Sequence, residues 1–233
     1  MKCLVYTPFR CGSSYLCRFI EKNINAPIVF YNNYKEYQSS DNIIIKSHIS
    51  PIDFDINFDY VFTCIRKPTD IFPSAFIKDF KTNVIINNTE NKYPYFYEKE
   101  VSENNIKEII NFFLSFSWEN FNWMSYDFNF SMIEKLTGIN VWNESFDKQK
   151  GYTVFNTNPK LVVITHDILF NKTNNFQELC KRELNFIKIG KDNYSYRNSD
   201  TYGDFYKNFL ENIPEDFYKK YKYLDDRIVE KFL

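Results

Sequence analysis

A run near the N-terminus, Arg10-Cys11-Gly12-Ser13-Ser14, has the composition of an anion-binding loop. It lies between an apolar stretch, Cys3 to Tyr6, and a helical pattern that begins with Leu16. Backbone N–H groups at the start of a helix attract anions, and the serines add hydroxyl donors. Arg10 adds a positive charge whose several N–H groups can donate to one anion. Gly12 lets a ligand approach the backbone closely. The run therefore predicts a strand–loop–helix phosphate site, with a purely structural turn as the alternative.

The loop lacks the G-x-x-x-x-G-K-[ST] pattern that binds ATP, so the lysine and the magnesium-binding hydroxyl of that chemistry have no counterpart. The five cysteines contain no C-x-x-C pair, which disfavours a metal site. We therefore expect an anion site that needs no metal.

Two further apolar runs end in polar residues. Ile43 to Ile45 leads into Lys46-Ser47-His48, and Tyr60 to Ile65 leads into Arg66. The helical pattern that follows Arg66 brings Ser74 round toward the same ligand. Because open α/β sheets bind ligands at the C-terminal ends of their strands, we expect these segments to converge on one site.

Together these segments resemble the sulfotransferase superfamily that uses 3′-phosphoadenosine 5′-phosphosulfate (PAPS). In that family a basic residue followed by Ser/Thr-Gly-Ser/Thr-Ser/Thr holds the 5′-phosphosulfate. An Arg-x-Pro-x-Asp motif, with a helical Ser eight residues after the Arg, holds the 3′-phosphate, and many members carry Lys-Thr-His at a strand end. The matching residues here are Arg10, Cys11, Gly12, Ser13 and Ser14 with the adjacent Tyr15, then Arg66 and Ser74, then Lys46 and His48.

The resemblance implies transfer of a sulfuryl group from PAPS to a hydroxyl acceptor. Arg10 and Lys46 would stabilise charge on the bridging oxygen and the sulfonate, and His48 would accept the proton of the hydroxyl. A hydrogen-bonded structural role is the alternative for His48. His166-Asp167, after another apolar run, is a rival catalytic pair, but the family has an acidic turn in that place and a structural role is favoured.

The chain departs from the family pattern at several positions. Cys11 replaces the usual Ser or Thr, Thr69 replaces a frequent Arg, and Pro73 lies where a helix former is usual. A proline inside a helix removes a hydrogen bond, so we expect Pro73 in the first turn, where Ser74 would be presented undisturbed.

A weaker similarity, over Val141 to Tyr152 and Asn198 to Pro214, is to the bacterial capsular-polysaccharide-synthesis branch of the superfamily. It implies a carbohydrate acceptor. In the wider family a C-terminal Arg/Lys–Gly segment closes over the 3′-phosphate, and Arg197 and Lys207 are the two candidates here. Trp123 and Tyr126 could stack on a sugar or fill the core. A P-loop kinase-like phosphotransferase and a non-catalytic nucleotide-binding module remain as alternative functions.

Composition favours one α/β domain covering residues 1–233, because the chain is 44% hydrophobic and long enough for a substantial core. The formal net charge of −1 argues against nucleic acid as a partner. An odd number of cysteines without disulfide spacings suits the reducing cytoplasm, and no apolar run reaches the length of a membrane helix. Oligomeric state is not indicated.

The strand and helix patterns predict a mainly parallel sheet of about five strands, flanked by helices, with a helical C-terminal tail, and the resemblance implies that the sheet is of the P-loop type. Further strands are expected at Pro27 to Tyr31 and Leu161 to Thr165, and a hairpin with Gly151 near its turn at Asn140 to Phe155. Lys81 to Glu98 is expected to be an irregular segment that covers the site. Helices are expected near Ile106–Leu114, Phe128–Leu136 (ended by Gly138), Phe176–Phe186, Gly203–Leu210 and Pro214–Leu233.

Overall fold

The computed structural model describes residues 1–37, 39–48, 55–86, 103–120, 125–171, 173–186 and 200–233. They belong to two units. The first takes its residues from Met1–Lys67, Asn122–Lys191 and Asp226–Leu233, and the second from Pro68–Phe121 and Asp192–Asp225. The single domain expected from chain length stays a prediction.

The first unit contains a six-stranded sheet of order β2-β3-β1-β4-β6-β5. Its strands are β1 (Lys2–Tyr6), β2 (Ile28–Phe30), β3 (Ile43–Ser47), β4 (Tyr60–Ile65), β5 (Tyr152–Phe155) and β6 (Lys160–Thr165). Five strands are parallel, and β5 pairs antiparallel with β6 at one edge. The central strands are continuous runs of buried apolar residues, as expected for a sheet covered on both faces. The mainly parallel α/β sheet is confirmed, with six strands rather than about five.

The hairpin predicted over Asn140 to Phe155 is wrong. Tyr152–Phe155 pairs instead with the following strand, β6, and the turn lies in residues 156–159. Gly151 ends an earlier turn, in which its N–H donates to the Asp147 carbonyl at 2.8 Å. Its φ of +75° suits glycine, and its carbonyl accepts from Thr165 N–H at 2.9 Å. Gly151 therefore positions the start of the hairpin rather than its tip.

The helices are α1 (Ser13–Ile24), α2 (Pro68–Ile86), α3 (Glu103–Leu114), α4 (Tyr126–Thr137), α5 (His166–Phe170), α6 (Thr173–Arg182), α7 (Asp200–Glu211) and α8 (Glu215–Phe232). Short 3₁₀ turns cover Tyr31–Tyr37 and Trp118–Asn120. The predicted helices are confirmed within a few residues, and Gly138 caps α4 with φ +74°. Within the described ranges, every helix is too short or too polar to span a bilayer.

Two expectations about α2 are wrong. The helix continues to Ile86, so residues 81–86 are helical rather than irregular, and residues 87–98 lie outside the described part of the chain. Pro73 lies inside the helix, as its sixth residue, and not in the first turn. The N–H that a proline lacks there would have bonded to the carbonyl of Thr69. The Asp225 carboxylate holds that first turn, because it accepts from Thr69 N–H at 3.1 Å and from the Thr69 hydroxyl.

Aromatic rings form much of the core of the second unit. The Phe72 ring stacks on Trp118 at 5.5 Å between centroids, and the Phe76 ring stacks on Phe209 at 5.7 Å. Phe113 is fully buried among these rings. The high aromatic content of the sequence is thus used to fill this core.

Candidate anion-binding site

The loop between β1 and α1 has unusual backbone geometry. Arg10 has φ +64° and Gly12 has φ +88°, and Gly12 is the N-cap of α1. The left-handed region costs a non-glycine residue about 1–2 kcal/mol, and such residues cluster at functional sites. The first bond of the helix runs from Leu16 N–H to the Gly12 carbonyl at 3.1 Å. The backbone N–H groups of Ser13 to Tyr15 lie in the first turn of α1, where no carbonyl group of the helix can accept from them. They are therefore suited to binding an anion.

The C-terminal end of β3, with His48 directly after it, reaches this loop, as expected for parallel strands that end at one edge of the sheet. Lys46 Nζ donates to Ser14 Oγ at 2.7 Å, and His48 Nε2 lies 3.4 Å from Ser13 Oγ. The parallel pairing of β1 with β3 aligns Tyr6 with Ser47, which places the two strand ends side by side. A lysine, an imidazole and two serine hydroxyls thus line one side of the loop.

The second hydrogen bond of His48 determines its tautomer. Nδ1 lies 2.9 Å from the carbonyl oxygen of Thr7, which can only accept. In the neutral ring the proton is therefore on Nδ1, and Nε2 is left with its lone pair toward Ser13. This is the arrangement that a general base requires.

Arg66 brings a buried cation to the loop from the end of β4. Its residue is only 9% exposed, and Nη1 donates to the Arg10 carbonyl at 2.9 Å. Within the described ranges Arg66 makes no ion pair with a carboxylate. A buried charge is costly unless it is paired, so an anion bound in this loop would stabilise the arrangement.

Tyr126 lies beneath the loop and is 5% exposed. Its hydroxyl accepts from Arg66 N–H at 2.6 Å, donates to the Arg66 carbonyl at 2.7 Å, and lies 3.5 Å from Cys11 Sγ. Burial raises the pKa of this hydroxyl well above its ordinary value. This placement corresponds to the core alternative rather than to a sugar-stacking side chain.

The Cys11 side chain also faces the interior. It is fully buried, and burial raises the pKa of its thiol from 9.0 to about 12. The thiol is therefore protonated at neutral pH. Because the Cys11 side chain is buried, only its backbone could contact a ligand in the loop.

The other predicted site residues belong to the second unit or lie outside the described residues. Ser74 belongs to the second unit, where its residue is buried on α2. Arg197 and Trp123 lie outside the described residues. Their proposed contacts with nucleotide or sugar stay predictions.

Helix α5 contacts the loop, which the sequence reasoning missed. A Cβ placed on Gly12 would lie 3.1 Å from Leu169 Cδ1 and 3.5 Å from both His166 Cδ2 and Phe170 Cε2. The only local signal was His166, which follows a buried strand as His48 does. Both histidines of the chain thus flank the same loop.

Three cationic side chains belong to the segments that meet here: Arg10 follows β1, Lys46 lies at the end of β3, and Arg66 follows β4. The N-terminus of α1 adds the positive end of its helix dipole. Among the described residues, no group of three or more His, Cys, Asp or Glu is arranged to hold a metal ion. The arrangement can bind a phosphate- or sulfate-like anion and place a base beside it.

No protein-family model matches this chain, and neither a curated protein nor a solved structure shows significant similarity to it. The assignment of a function therefore depends on the geometry of the site and on the motif resemblance.

Proposed function

We propose that this protein is a PAPS-dependent sulfotransferase that transfers a sulfuryl group to a hydroxyl acceptor. The observation that carries the proposal is the buried Arg66 guanidinium, held against the left-handed Arg10 backbone without a carboxylate partner in the described ranges. The proposal includes a P-loop-type fold, which is supported by the position of β1 between β3 and β4. That order puts the three basic segments next to one another.

The residues would divide the reaction between them. The N–H groups of the loop and Arg10 hold the phosphosulfate, and Lys46 stabilises the negative charge that develops on the bridging oxygen. The acceptor oxygen forms a bond to sulfur as the bond from sulfur to the bridging oxygen breaks. His48 Nε2 takes the proton of the acceptor hydroxyl, because Thr7 holds the other ring nitrogen as the donor. The leaving group is adenosine 3′,5′-bisphosphate.

The acceptor that we propose is a carbohydrate hydroxyl, on the weaker similarity to the capsular-polysaccharide branch, which is an argument by analogy. The five cysteines are all unpaired thiols, which is in keeping with a reducing compartment such as the cytoplasm.

The deciding experiment is calorimetric titration of the full chain with adenosine 3′,5′-bisphosphate in the absence of metal. We expect binding in the micromolar range, and none of ATP with magnesium. Binding of ATP only in the presence of magnesium would favour a kinase-like phosphotransferase. Failure of the bisphosphate to bind would overturn the proposal. Incubation with PAPS and a panel of saccharides then separates an enzyme from a non-catalytic binding module.

A further inference from the structure

The proposed base, His48, already has a hydroxyl of the protein beside it. Its Nε2 lies 3.4 Å from Ser13 Oγ, and the Thr7 carbonyl, 2.9 Å from Nδ1, leaves the lone pair on Nε2. In this tautomer the Ser13 hydroxyl is the donor and the imidazole is the acceptor. A serine within reach of an oriented imidazole is the arrangement that activates serine nucleophiles, and the contact is often loose before a ligand binds.

The backbone holds Ser13 in a position that suits a nucleophile. Ser13 is the first residue of α1 and directly follows Gly12, whose φ of +88° makes the turn from β1 sharp. Sharp turns between a strand and a helix present nucleophilic serines in other enzymes. Ser13 is only 4% exposed, so little water surrounds its hydroxyl. The fold therefore fixes this hydroxyl at the base and largely removes it from solvent.

The surroundings of Ser13 favour an anionic electrophile. The N–H groups in the first turn of α1 attract negative charge, and Lys46 Nζ donates to the neighbouring Ser14 hydroxyl at 2.7 Å. A sulfuryl or phosphoryl group carries the negative charge that these groups would stabilise, whereas a neutral acyl group does not. The phosphosulfate of the proposed donor would bring such a group to the loop that contains Ser13.

We propose that Ser13, activated by His48, accepts the sulfuryl group of the donor when no other hydroxyl acceptor is in the site. This inference rests on the proposed function, which supplies the donor. Ser13 Oγ forms a bond to sulfur as the bond from sulfur to the bridging oxygen breaks. The electron pair of that bond leaves with adenosine 3′,5′-bisphosphate, and His48 Nε2 takes the hydroxyl proton. The product is a sulfate ester on Ser13.

This ester would close the site to a further donor. It places a negative charge at the first residue of α1, where the helix N-terminus would otherwise bind the phosphosulfate. A serine sulfate ester is much less reactive than the mixed anhydride of the donor, so the group remains on the serine. After free nucleotide is removed, the modified chain should bind adenosine 3′,5′-bisphosphate at least about tenfold more weakly. An external acceptor prevents the reaction by taking the place of Ser13 at Nε2.

The test incubates the full chain with PAPS and no acceptor, and then locates modified residues by mass spectrometry under conditions that preserve sulfate esters. We expect the mass of one SO3 group on the peptide that contains Ser13 and none in the Ser13→Ala variant. The internal control is Ser131, an exposed serine whose hydroxyl donates to the Phe128 carbonyl at 2.9 Å and which should stay unmodified. His48→Ala should slow the modification roughly 100-fold. Modification that persists in Ser13→Ala would overturn the inference.

A second measurement tests the nucleophile without PAPS. Phenylmethylsulfonyl fluoride reacts with activated serines: the serine oxygen bonds to sulfur, fluoride leaves, and the neighbouring base takes the proton. We expect this reagent to label Ser13 in the parent chain and to label it much more slowly in His48→Ala. Excess inorganic pyrophosphate, which should occupy the loop, should protect Ser13. A parent chain that is not labelled at Ser13 would contradict its activation by His48.

The outcomes distinguish this inference from the proposed function. If the bisphosphate binds and a saccharide is sulfated while Ser13 stays unmodified in the absence of acceptor, the inference is wrong and the proposed function stands. If the bisphosphate fails to bind but the sulfonyl fluoride labels Ser13 in a His48-dependent manner, the nucleophile stands and the sulfotransferase proposal is wrong. If the bisphosphate fails to bind and Ser13 is not labelled, both are wrong.

Discussion

The hydroxyl of Tyr126 bonds to both main-chain polar groups of Arg66, accepting from its N–H at 2.6 Å and donating to its carbonyl at 2.7 Å. Strand β4 ends at Ile65, so these groups have passed beyond the regular pairing of the sheet. The same hydroxyl lies 3.5 Å from Cys11 Sγ. One side chain from α4 thus joins the anion loop to the residue that carries the buried guanidinium.

Tyr126→Phe removes this hydroxyl and leaves the buried N–H and carbonyl of Arg66 without their partner. We expect the free energy of unfolding to fall by about 2 kcal/mol, measured by urea denaturation. The control is Tyr6→Phe, because the buried Tyr6 hydroxyl has no hydrogen-bond partner within the described ranges. That variant should lose no stability. Equal losses in the two variants would show that the Tyr126 bonds contribute nothing specific.

Gly12→Ala should damage the loop by two routes. The φ of +88° disfavours any side chain by about 1–2 kcal/mol, and the added Cβ would lie 3.1 Å from Leu169 Cδ1. We expect a loss of stability and at least a roughly tenfold loss of affinity for adenosine 3′,5′-bisphosphate. Gly138→Ala has a similar φ, +74°, but nothing lies within 4 Å of the added Cβ. It should lose less stability and no affinity, and a matching loss of affinity there would contradict the role of the loop.

Arg66→Ala should weaken the binding of adenosine 3′,5′-bisphosphate, since it removes a buried cation with forked donors. The informative comparison is adenosine 5′-phosphosulfate, which has no 3′-phosphate. A smaller loss for this ligand is the expected result. An equal loss of affinity for the two ligands would mean that Arg66 does not bind the 3′-phosphate. Its role would then be to hold the loop through its hydrogen bond to the Arg10 carbonyl. Arg182→Ala, at an exposed arginine on α6, is the control for removal of charge.

His48→Ala should separate binding from chemistry. We expect the affinity for the bisphosphate to be nearly unchanged, because backbone N–H groups and cations hold the anion. Turnover, measured as transfer of sulfate to an acceptor identified in the saccharide panel, should fall roughly 100-fold or more. A variant that retains full turnover would return His48 to the structural role that its bond to Thr7 also allows.

Stability should fall as the pH rises above about 9. Burial raises the pKa of Cys11, Cys17 and Cys180 from 9.0 to about 12. Between these values the unfolded chain loses the thiol protons that the native protein retains, so unfolding becomes easier by up to about 1.4 kcal/mol per pH unit for each thiol. The native protein therefore has its full stability with respect to these thiols below pH 9, and it loses stability progressively as the pH approaches 12. Urea denaturation in reducing buffer across this window measures it.

Cys17→Ala provides the control for this pH dependence. Because it removes one of the five buried thiols, stability should decline less steeply with pH than in the parent chain. A parent chain whose stability is constant between about pH 9 and 11 would contradict the burial of these groups.

Much of the sheet and part of the site could be predicted from the sequence. The run Tyr60 to Ile65 coincides with β4, because a buried parallel strand needs apolar residues on both faces and so appears as an uninterrupted run. The end of α4 at Gly138 was predictable because a left-handed cap favours glycine. The meeting of Lys46 and His48 with the Arg10–Ser14 loop followed from the rule that parallel strands end at one edge.

The remaining contacts depend on how segments distant in the sequence pack together. The Tyr126 hydroxyl reaches Arg66, 60 positions away, and no local pattern indicates such a contact. Leu169 and Phe170 lie against Gly12 because β6 delivers α5 to the end of the sheet where the loop is. The predicted hairpin was misplaced because a glycine such as Gly151 is typical of a turn. The strand that β5 actually pairs with is β6, and this pairing depends on the position of β6 in the sheet. Residue type and spacing determine which backbone conformations and charges are available locally, whereas contacts between distant segments depend on how the whole core is packed.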